Sequence, residues 1–307
     1  MASGTATNRT NIELPTQVSS EILQKAQEQS AIMSLARKIA LPGWGLTIPV
    51  ITSDPEAEWV SETGVKPVKN PGLSKKVMQA YKLAVVVPFS NEFKRDTTNL
   101  YNALVSRLPL ALAYKFDGTV FHGSAPGSNF DTLAAVTAQN LGGEDGVWQA
   151  LIDADMAIAA QNADMNGFVI SPTARGILLG ETDNQGRPLF VNSAAEGAVP
   201  VILGRRTVSS RAAYKAASGG DPAVVGFAGD WTQAMYGIVQ GMEVSISDQA
   251  TLTTKDQSNN DVLINLWQQN MFAVRAEIEV GFRCDTNCFN RLTYAPTGAT
   301  GATGATS

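Results

Sequence analysis

The chain has 307 residues, of which 44% are hydrophobic and only 17% are charged. Because soluble domains usually carry about 25% charged residues, much of this surface must be neutral, and a neutral surface suits contact with other protein. The formal net charge of −5 and the sequence pI near 5.0 argue against a protein whose main task is to grip nucleic-acid phosphates.

Apolar stretches of the sequence are interrupted within about ten residues, whereas a membrane-spanning helix needs roughly 18–20. Residues 1–8 show no signal-peptide pattern. We therefore expect a protein that is made and used in the cytoplasm, with no membrane partner.

Side chains that carry most catalysis and metal binding are scarce: there is one histidine, His122, and there are two cysteines, Cys284 and Cys288. Two cysteines without further ligands nearby do not make a closed zinc site. We expect two reduced thiols, with a zinc ion or a disulfide shared between subunits as the weaker alternative. No cofactor and no metal are therefore predicted.

The N-terminal segment is predicted to be an arm with a short helix, since apolar residues recur at helical spacing over 21–40. It has too few apolar residues to fold alone, so we expect it to lie on its own body or on a neighbour.

A long charged hairpin follows, with one strand from Leu46, a turn at 54–55 and a return strand over 77–89. The first leg is acidic, whereas all charged residues between 64 and 91 are lysines. Because the tip has few apolar residues, the hairpin either remains a solvated loop or docks onto another subunit. The residues expected at such an interface are Trp59, Glu62, Lys66, Lys69, Lys75, Lys76, Glu277 and Glu279.

Residues 97–121 carry the strongest helical pattern, with one apolar face formed by Leu100, Leu104, Leu108 and Leu112. Pro109 lies inside this helix, where it removes a backbone donor, so we expect a kink near Ser106.

Further elements are predicted along the rest of the chain. They are a helix over 146–162, a strand over 167–171, a helix from Pro172 to Leu179, strands over 199–203, 224–228, 236–239 and 243–247, a polar loop over 251–260, and a strand over 270–283 that alternates polar and apolar residues.

The most tempting catalytic group is formed by His122, Ser124 and Asp131. These residues share one Gly/Pro/Ser loop, and no G-x-S-x-G elbow is present, so we interpret the segment as a loop that ends the long helix. Glu277 and Glu279 alternate on a strand and are interpreted as a charge row at the surface or between subunits. The chain is not predicted to be an enzyme.

Taken in order, several short segments resemble the major capsid protein family of tailed bacteriophages, over about residues 46–294. The segments are Glu58-Trp59-Val60, Lys82-Leu83-Ala84-Val85, 88–93 ahead of Asp96, 168–172, Val199-Pro200-Val201, Gly229-Asp230-Trp231 with Tyr236-Gly237-Ile238, and Arg275-Ala276-Glu277 through 289–292. Each segment is weak alone, and their order and spacing carry the resemblance.

The resemblance implies an α+β subunit with the phage major capsid fold, the Hong Kong ninety-seven fold. Its parts would be an N-terminal arm (1–44), an extended hairpin loop (45–80), a peripheral domain with a long spine helix (81–130 and 248–283), an axial domain (131–247 and 284–296), and a flexible Gly-Ala-Thr tail (297–307).

The resemblance also implies a head protein that self-assembles as hexamers and pentamers into an icosahedral shell around double-stranded DNA, without sequence-specific DNA binding. The location implied is the virion capsid, after assembly in the bacterial cytoplasm.

Portal and decoration proteins are candidate partners. Because the chain begins almost directly in the arm, a scaffolding protein would be separate, or none is used. Cross-linking between subunits is not predicted. The alternatives are an encapsulin-like nanocompartment with the same fold, and a non-shell binding protein or enzyme.

Overall fold

The computed structural model describes residues 25–27, 29–43, 45–53, 59–60, 72–92, 97–144, 146–182, 187, 189, 201–239, 242–255 and 259–295. Its helices are α1 (Ala31–Leu35), α2 (Thr97–His122), α3 (Gly146–Ala159) and α4 (Pro172–Gly180). Its strands are β1 (Arg37–Ala40), β2 (Leu46–Ser53), β3 (Gly72–Met78), β4 (Tyr81–Ser90), β5 (Thr137–Asn140), β6 (Gly167–Ile170), β7 (Val201–Ile202), β8 (Arg205–Ser209), β9 (Ala223–Gly229), β10 (Ala234–Ile238), β11 (Glu243–Ser247), β12 (Thr251–Lys255), β13 (Asp261–Asn265), β14 (Met271–Cys284) and β15 (Phe289–Tyr294).

A five-stranded sheet is built around β14. Its order is β1-β10-β14-β11, and β4 pairs with the other side of β14. The even-numbered residues of β14 from Phe272 to Phe282 are all buried, because a period of two sends them to the same face. The alternating pattern in the sequence therefore identified the central strand of this sheet.

Helix α2 packs on the apolar face of that sheet. Leu108 and Leu112 lie in one core cluster with Phe272, Val274 and Ile278 of β14. The helix runs without interruption from Thr97 through Pro109 to His122, one residue beyond the end predicted from the sequence. Pro109 therefore does not interrupt the helix. The kink near Ser106 stays a prediction.

A six-stranded sheet forms the second half of the described fold, in the order β5-β15-β9-β6-β8-β7. Helices α3 and α4 pack against it through Leu151, Ile158 and Leu178, which share a core cluster with Phe168 of β6. Ser171 begins α4, since its side chain accepts a hydrogen bond from the Ala174 amide. The largest core cluster lies between the two sheets and includes Phe227 and Phe282.

Two hairpins stand apart from these sheets: β2 with β3, and β12 with β13. The second hairpin overturns the prediction of a polar loop over 251–260, because 251–255 pairs with 261–265. Threonines dominate 251–255, and this strand therefore lacks the apolar alternation on which the sequence argument relied. Thr251–Lys255 still forms a strand because threonine is β-branched and fits a pleated surface.

Two other boundaries differ from the predictions. The helix predicted over 21–40 ends at Leu35, and residues 37–40 form β1, which pairs parallel with β10 almost 200 residues later. The long strand predicted over 77–89 is divided at residues 79–80 into β3 and β4, which join different sheets. Both boundaries are set by pairing between strands that lie far apart in the sequence. The local periodicity of the sequence does not reveal such pairing.

One sheet contains strands from two of the proposed domains. Strands β10 and β11, assigned to the axial part (131–247), pair with β14 of the peripheral part. The division of the chain into these five parts stays a prediction. None of the helices in the described ranges is long and apolar enough to cross a membrane.

Candidate inter-subunit surface

The hairpin of β2 and β3 is fastened to the body at one end. The pairing runs from Leu46 opposite Met78 at this base to Ser53 opposite Gly72 at the far end. The Met78 side chain is fully buried. Gly281 of β14 lies directly under the base, since a Cβ at this position would stand 2.6 Å from the Gln79 carbonyl oxygen. Only a residue without a side chain allows the base of the hairpin to pass this close to the sheet.

Gly45 provides a second backbone requirement at the base. Its φ of 91° lies in the left-handed region that favours glycine. A Cβ there would stand 2.9 Å from the Met78 carbonyl oxygen. The chain therefore turns into β2 in a conformation that other residues adopt only with strain.

Arg283 holds three parts of the chain together beside the hairpin base. Its Nε donates to the Val77 carbonyl at 2.8 Å, one terminal nitrogen donates to Asp131 Oδ1 at 2.7 Å, and the other donates to Asn129 Oδ1 at 3.2 Å. The Arg283 side chain is 10% exposed, so this charge is paired in a largely dry environment. The guanidinium of Arg283 thus links β14 to the hairpin and to the loop after α2.

Asp131 is the anion at the centre of this cluster, which we call the base cluster (Lys76, Asn129, Asp131, Arg283). Asp131 Oδ2 accepts a hydrogen bond from the Cys284 amide at 3.2 Å. Lys76 of β3 donates from Nζ to the Cys284 carbonyl at 2.8 Å and lies 3.9 Å from Asp131. Two cations therefore face one carboxylate, and both hold the hairpin strand β3 against β14.

The later part of the N-terminal arm is attached to α2 by a buried carboxylate. Asp117 is 1% exposed and accepts hydrogen bonds from the Ser30 hydroxyl and, at 2.8 Å, from the Ala31 amide at the start of α1. Burial raises the pKa of Asp117 to about 6, although the hydrogen bonds to Ser30 and Ala31 act in the opposite direction. The sequence predicted that this segment would lie on its own body or on a neighbour, and residues 30–36 lie on their own body.

The residues predicted to lie at an interface between subunits differ in their exposure and in their contacts within the chain. Trp59 is fully exposed, and Lys75 is exposed on β3. Lys76 belongs to the base cluster, so at least part of its role is intramolecular. Glu62, Lys66 and Lys69 lie outside the described residues.

The acidic pair on β14 also has partners within the chain. Glu277 lies 3.3 Å from Arg275, and Glu279 lies 3.6 Å from Lys82 of β4. Both ion pairs are partly exposed to solvent and hence weak. An interface role for Glu277 and Glu279 stays a prediction.

The catalytic grouping considered from the sequence is not assembled around His122. Both oxygens of Asp131 are engaged by Arg283 and the Cys284 amide. The His122 ring packs beside Phe227, with ring centroids 5.4 Å apart, and burial lowers its pKa. Within the described ranges, no three His, Cys, Asp or Glu side chains cluster as a metal site would require.

Both cysteines are buried free thiols. Burial raises the pKa of Cys284, and burial together with the nearby Asp285 raises that of Cys288 to about 11. Burial thus disfavours the thiolate, which is the reactive form, at both cysteines.

Comparison with known proteins gives one consistent result. The sequence model of the phage capsid family matches residues 11–284. The probable major capsid protein of Mycobacterium phage D29 is 28% identical over 285 residues, covering 89% of this chain and 87% of that protein. The counterpart in Mycobacterium phage L5 is 29% identical over 294 residues, covering 88% and 85% of the two chains.

Solved structures agree with the sequence comparison. A chain from Microbacterium phage Oxtober96 superposes with a TM-score of 0.70 at 20% identity, covering 87% of this chain and 91% of the other. At this identity the similarity shows the fold. The mixed α and β fold of phage major capsid proteins, predicted from the sequence, is thereby confirmed.

Proposed function

The chain belongs to the phage capsid family, and from this membership we propose that it is a major capsid protein that self-assembles into an icosahedral shell around double-stranded DNA. The observation that carries the proposal is the match along nearly the whole chain to the probable major capsid proteins of two mycobacteriophages. The units of assembly would be hexamers and pentamers of this one subunit.

The structure supports this proposal through the hairpin of β2 and β3. Its base is fixed to the body by the base cluster, whereas Trp59 beyond its far end is fully exposed. A fully exposed tryptophan leaves a large apolar surface in water, which a partner protein would cover. Repeated contacts of this kind, each weak alone, can add up to a stable shell.

The charge of the chain fits a container for DNA. A net charge of −5 gives no general attraction for phosphates, so the subunit would enclose DNA without binding it tightly. In this proposal scaffolding, portal and decoration proteins are candidate partners. The shell subunit carries no catalytic role, cofactor or metal, and it assembles in the host cytoplasm before it becomes part of the virion.

The test is to express the chain, separate it by size and examine the large fraction by electron microscopy. The proposal requires closed particles with six-fold and five-fold clusters of subunits. A species that stays monomeric by light scattering at high concentration would overturn it.

The contents of particles made during infection test the second half of the proposal. Packaged double-stranded DNA is expected. Particles that contain protein cargo and no DNA would instead indicate an encapsulin-like compartment built on the same fold.

A further inference from the structure

Helix α3 buries one of its faces against the six-stranded sheet. The buried side chains on this face are Val147, Ala150, Leu151, Ala154 and Ile158. All of them belong to the core cluster that also contains Phe168 of β6. This face accounts for the packing of α3 on its own subunit.

A second apolar row runs along the outer side of the same helix. Trp148, Ile152 and Met156 are spaced four residues apart, so they lie in one row. Ala159 follows Met156 at a spacing of three residues and extends this row. Trp148 is 43% exposed and Met156 is 64% exposed, while Ala159 is exposed and Ile152 is half-buried. We call the row of these side chains the α3 stripe.

The α3 stripe is unusual for a surface helix. Such a helix normally turns one apolar face inward and polar residues outward, and a helix that is apolar on both sides is normally covered on both. Methionine is flexible and common on surfaces that bind other proteins, and most of the Met156 side chain remains in water. The stripe therefore indicates a contact that the described part of this subunit does not supply.

The charged residues of α3 lie on the two sides of the stripe. Asp153 and Asp155 are the only charged residues of the helix. At about 100° per residue, Asp155 lies about 20° to one side of Trp148, and Asp153 lies about 60° beyond Met156 on the other side. Gln149 donates to Asp153 Oδ1 at 2.9 Å, and this neutral donor leaves the negative charge in place. The stripe is thus an apolar row between two carboxylates.

A helix with the opposite charge pattern fits this surface. Rows of side chains on one helix pack into the grooves of another at an interaxial distance of about 8–10 Å. A partner row flanked by lysine or arginine would cover the α3 stripe and place its cations beside Asp153 and Asp155. Complementary charges of this kind favour the correct partner and orientation.

A second copy of this chain is a poorer occupant. If two copies met through the α3 stripe, the same patch would lie on both sides of the contact, and carboxylates would face carboxylates. The stripe extends from Trp148 to Ala159, over about 16–17 Å at 1.5 Å per residue. This is short for the roughly 800 Å² per partner of a standard stable interface, so a single contact through the stripe is weak and reversible.

We propose that the α3 stripe binds an amphipathic helix of a separate protein, whose apolar row is flanked by lysine or arginine. This contact goes beyond the proposed function, because it uses one face of one subunit and does not require shells to form.

Two synthetic helical peptides test the chemistry of the contact. Both carry the same row of leucines, which is flanked by lysines in the basic peptide and by glutamates in the acidic peptide. Each peptide is labelled with fluorescein, and its anisotropy is followed as the full chain is added at physiological ionic strength. The basic peptide should bind at least about tenfold more tightly than the acidic peptide. Equal affinities, or no binding of the basic peptide, would overturn the inference.

Substitutions on the stripe test where the basic peptide binds. Met156→Arg and, separately, Ala159→Arg place a cation within the apolar row, and each should weaken binding at least about tenfold. Leu263→Arg is the control, because Leu263 is 67% exposed on β13 and the change in charge is the same. Equal weakening by the control, or unchanged binding in both stripe variants, would contradict the assigned site.

Charge reversal gives an independent readout. The double variant Asp153→Lys and Asp155→Lys should prefer the acidic peptide, because opposite charges then face each other again. A double variant that still prefers the basic peptide would show that these two carboxylates do not select the partner.

Cysteine labelling tests what covers the stripe in particles. In a chain with Met156→Cys the new thiol is exposed, whereas Cys284 and Cys288 are buried. A maleimide should label this thiol in particles assembled from the purified chain, but not in particles made during infection. Protection in both would identify a second copy as the occupant, and labelling in both would show that no partner covers the stripe. Either result overturns the inference. If no particles form, the proposed function falls, and the peptide measurements still decide the inference.

Discussion

The two ends of the β2–β3 hairpin are stabilised in different ways. At the base, Met78 is fully buried and Arg283 donates hydrogen bonds to the hairpin and to the loop after α2. Beyond the far end, Trp59 is fully exposed. The base is thus determined by contacts within one chain, whereas the exposed Trp59 is where we propose a contact between chains. Substitutions at the base should change the stability of the monomer, and substitutions at the far end should change assembly alone.

The largest effect on monomer stability is expected at Arg283. Arg283→Met leaves Asp131 as a poorly paired, mostly buried charge and removes donors from Val77 and Asn129. Breaking such a pair costs about 3–5 kcal/mol. The free energy of unfolding, measured by urea titration of the monomer, should fall by this amount. Arg275→Met is the control, because its pair with Glu277 is exposed and worth about 0–1 kcal/mol. A similar loss in both variants would contradict the anchoring role of Arg283.

Gly281 tests the close approach at the same base. In Gly281→Ala the added methyl group meets the Gln79 carbonyl, and the base must shift, at a cost of about 1–3 kcal/mol. Gly176→Ala is the matched control. Gly176 lies within α4 with open space at its Cβ position, and alanine there should stabilise the monomer by up to about 1 kcal/mol. Thermal unfolding of the two variants should therefore shift in opposite directions, and a shift in the same direction would contradict the crowding at Gly281.

Asp117 tests the attachment of the N-terminal segment, away from the hairpin. Its pKa is raised from 3.8 to about 6, so the folded chain binds the proton more tightly than the unfolded chain does. The contribution of Asp117 to stability is therefore largest at acidic pH and is lost as pH rises through about 4 to 6, by about 2–3 kcal/mol. Asp117→Asn should remove this part of the pH dependence.

The measurement is the difference in unfolding free energy between pH 4.5 and pH 7.5 for the wild type and the variant. The wild type should lose more stability across this interval than the variant. Identical pH dependence would show that the Asp117 carboxyl does not titrate differently in the folded and unfolded states.

The smallest effect on monomer stability is expected beyond the far end of the hairpin. Reversing charge with Lys66→Glu and Lys69→Glu should change the unfolding free energy by less than about 0.5 kcal/mol, because the sequence predicts both lysines at a hairpin tip with few apolar residues, where single charges contribute little. Assembly, measured by the yield of closed particles, should nevertheless fall. Lys215→Glu changes an exposed charge on the body and serves as the control. Normal particle yield from the double variant would refute a docking role for the two lysines.

The sequence predicted those helices and strands in which the spacing of apolar residues along the chain matches the spacing of buried side chains. β14 was predicted over 270–283 and lies over 271–284, since its alternation directly reflects one buried and one partly exposed face. Helix α2 was predicted to within one residue. Strand β12 was missed because neither of its faces is consistently apolar.

The base cluster could not be predicted from the sequence in the same way. Its members come from positions 76, 129, 131 and 283, and only the fold brings them together. Lys76 was expected at an interface from the charge of its segment, a property that does not distinguish a neighbour from the body of the same chain. Gly281 was one signal in the sequence that pointed to this cluster. It lies two residues before Arg283, on the same face of the strand, and glycine within a strand often marks a close backbone approach.

The position of β14 at the centre of its sheet also governs when the subunit can become competent to assemble. Its residues pair with β4 residues that precede them by 181 to 199 positions, from Met271 with Ser90 to Val280 with Tyr81. Contacts this distant form late in folding, because a long loop must close first. During synthesis on the ribosome, the hairpin base therefore has no sheet to rest on until β14 has emerged. The order of translation itself would keep unfinished chains from presenting a correctly aimed hairpin to their neighbours.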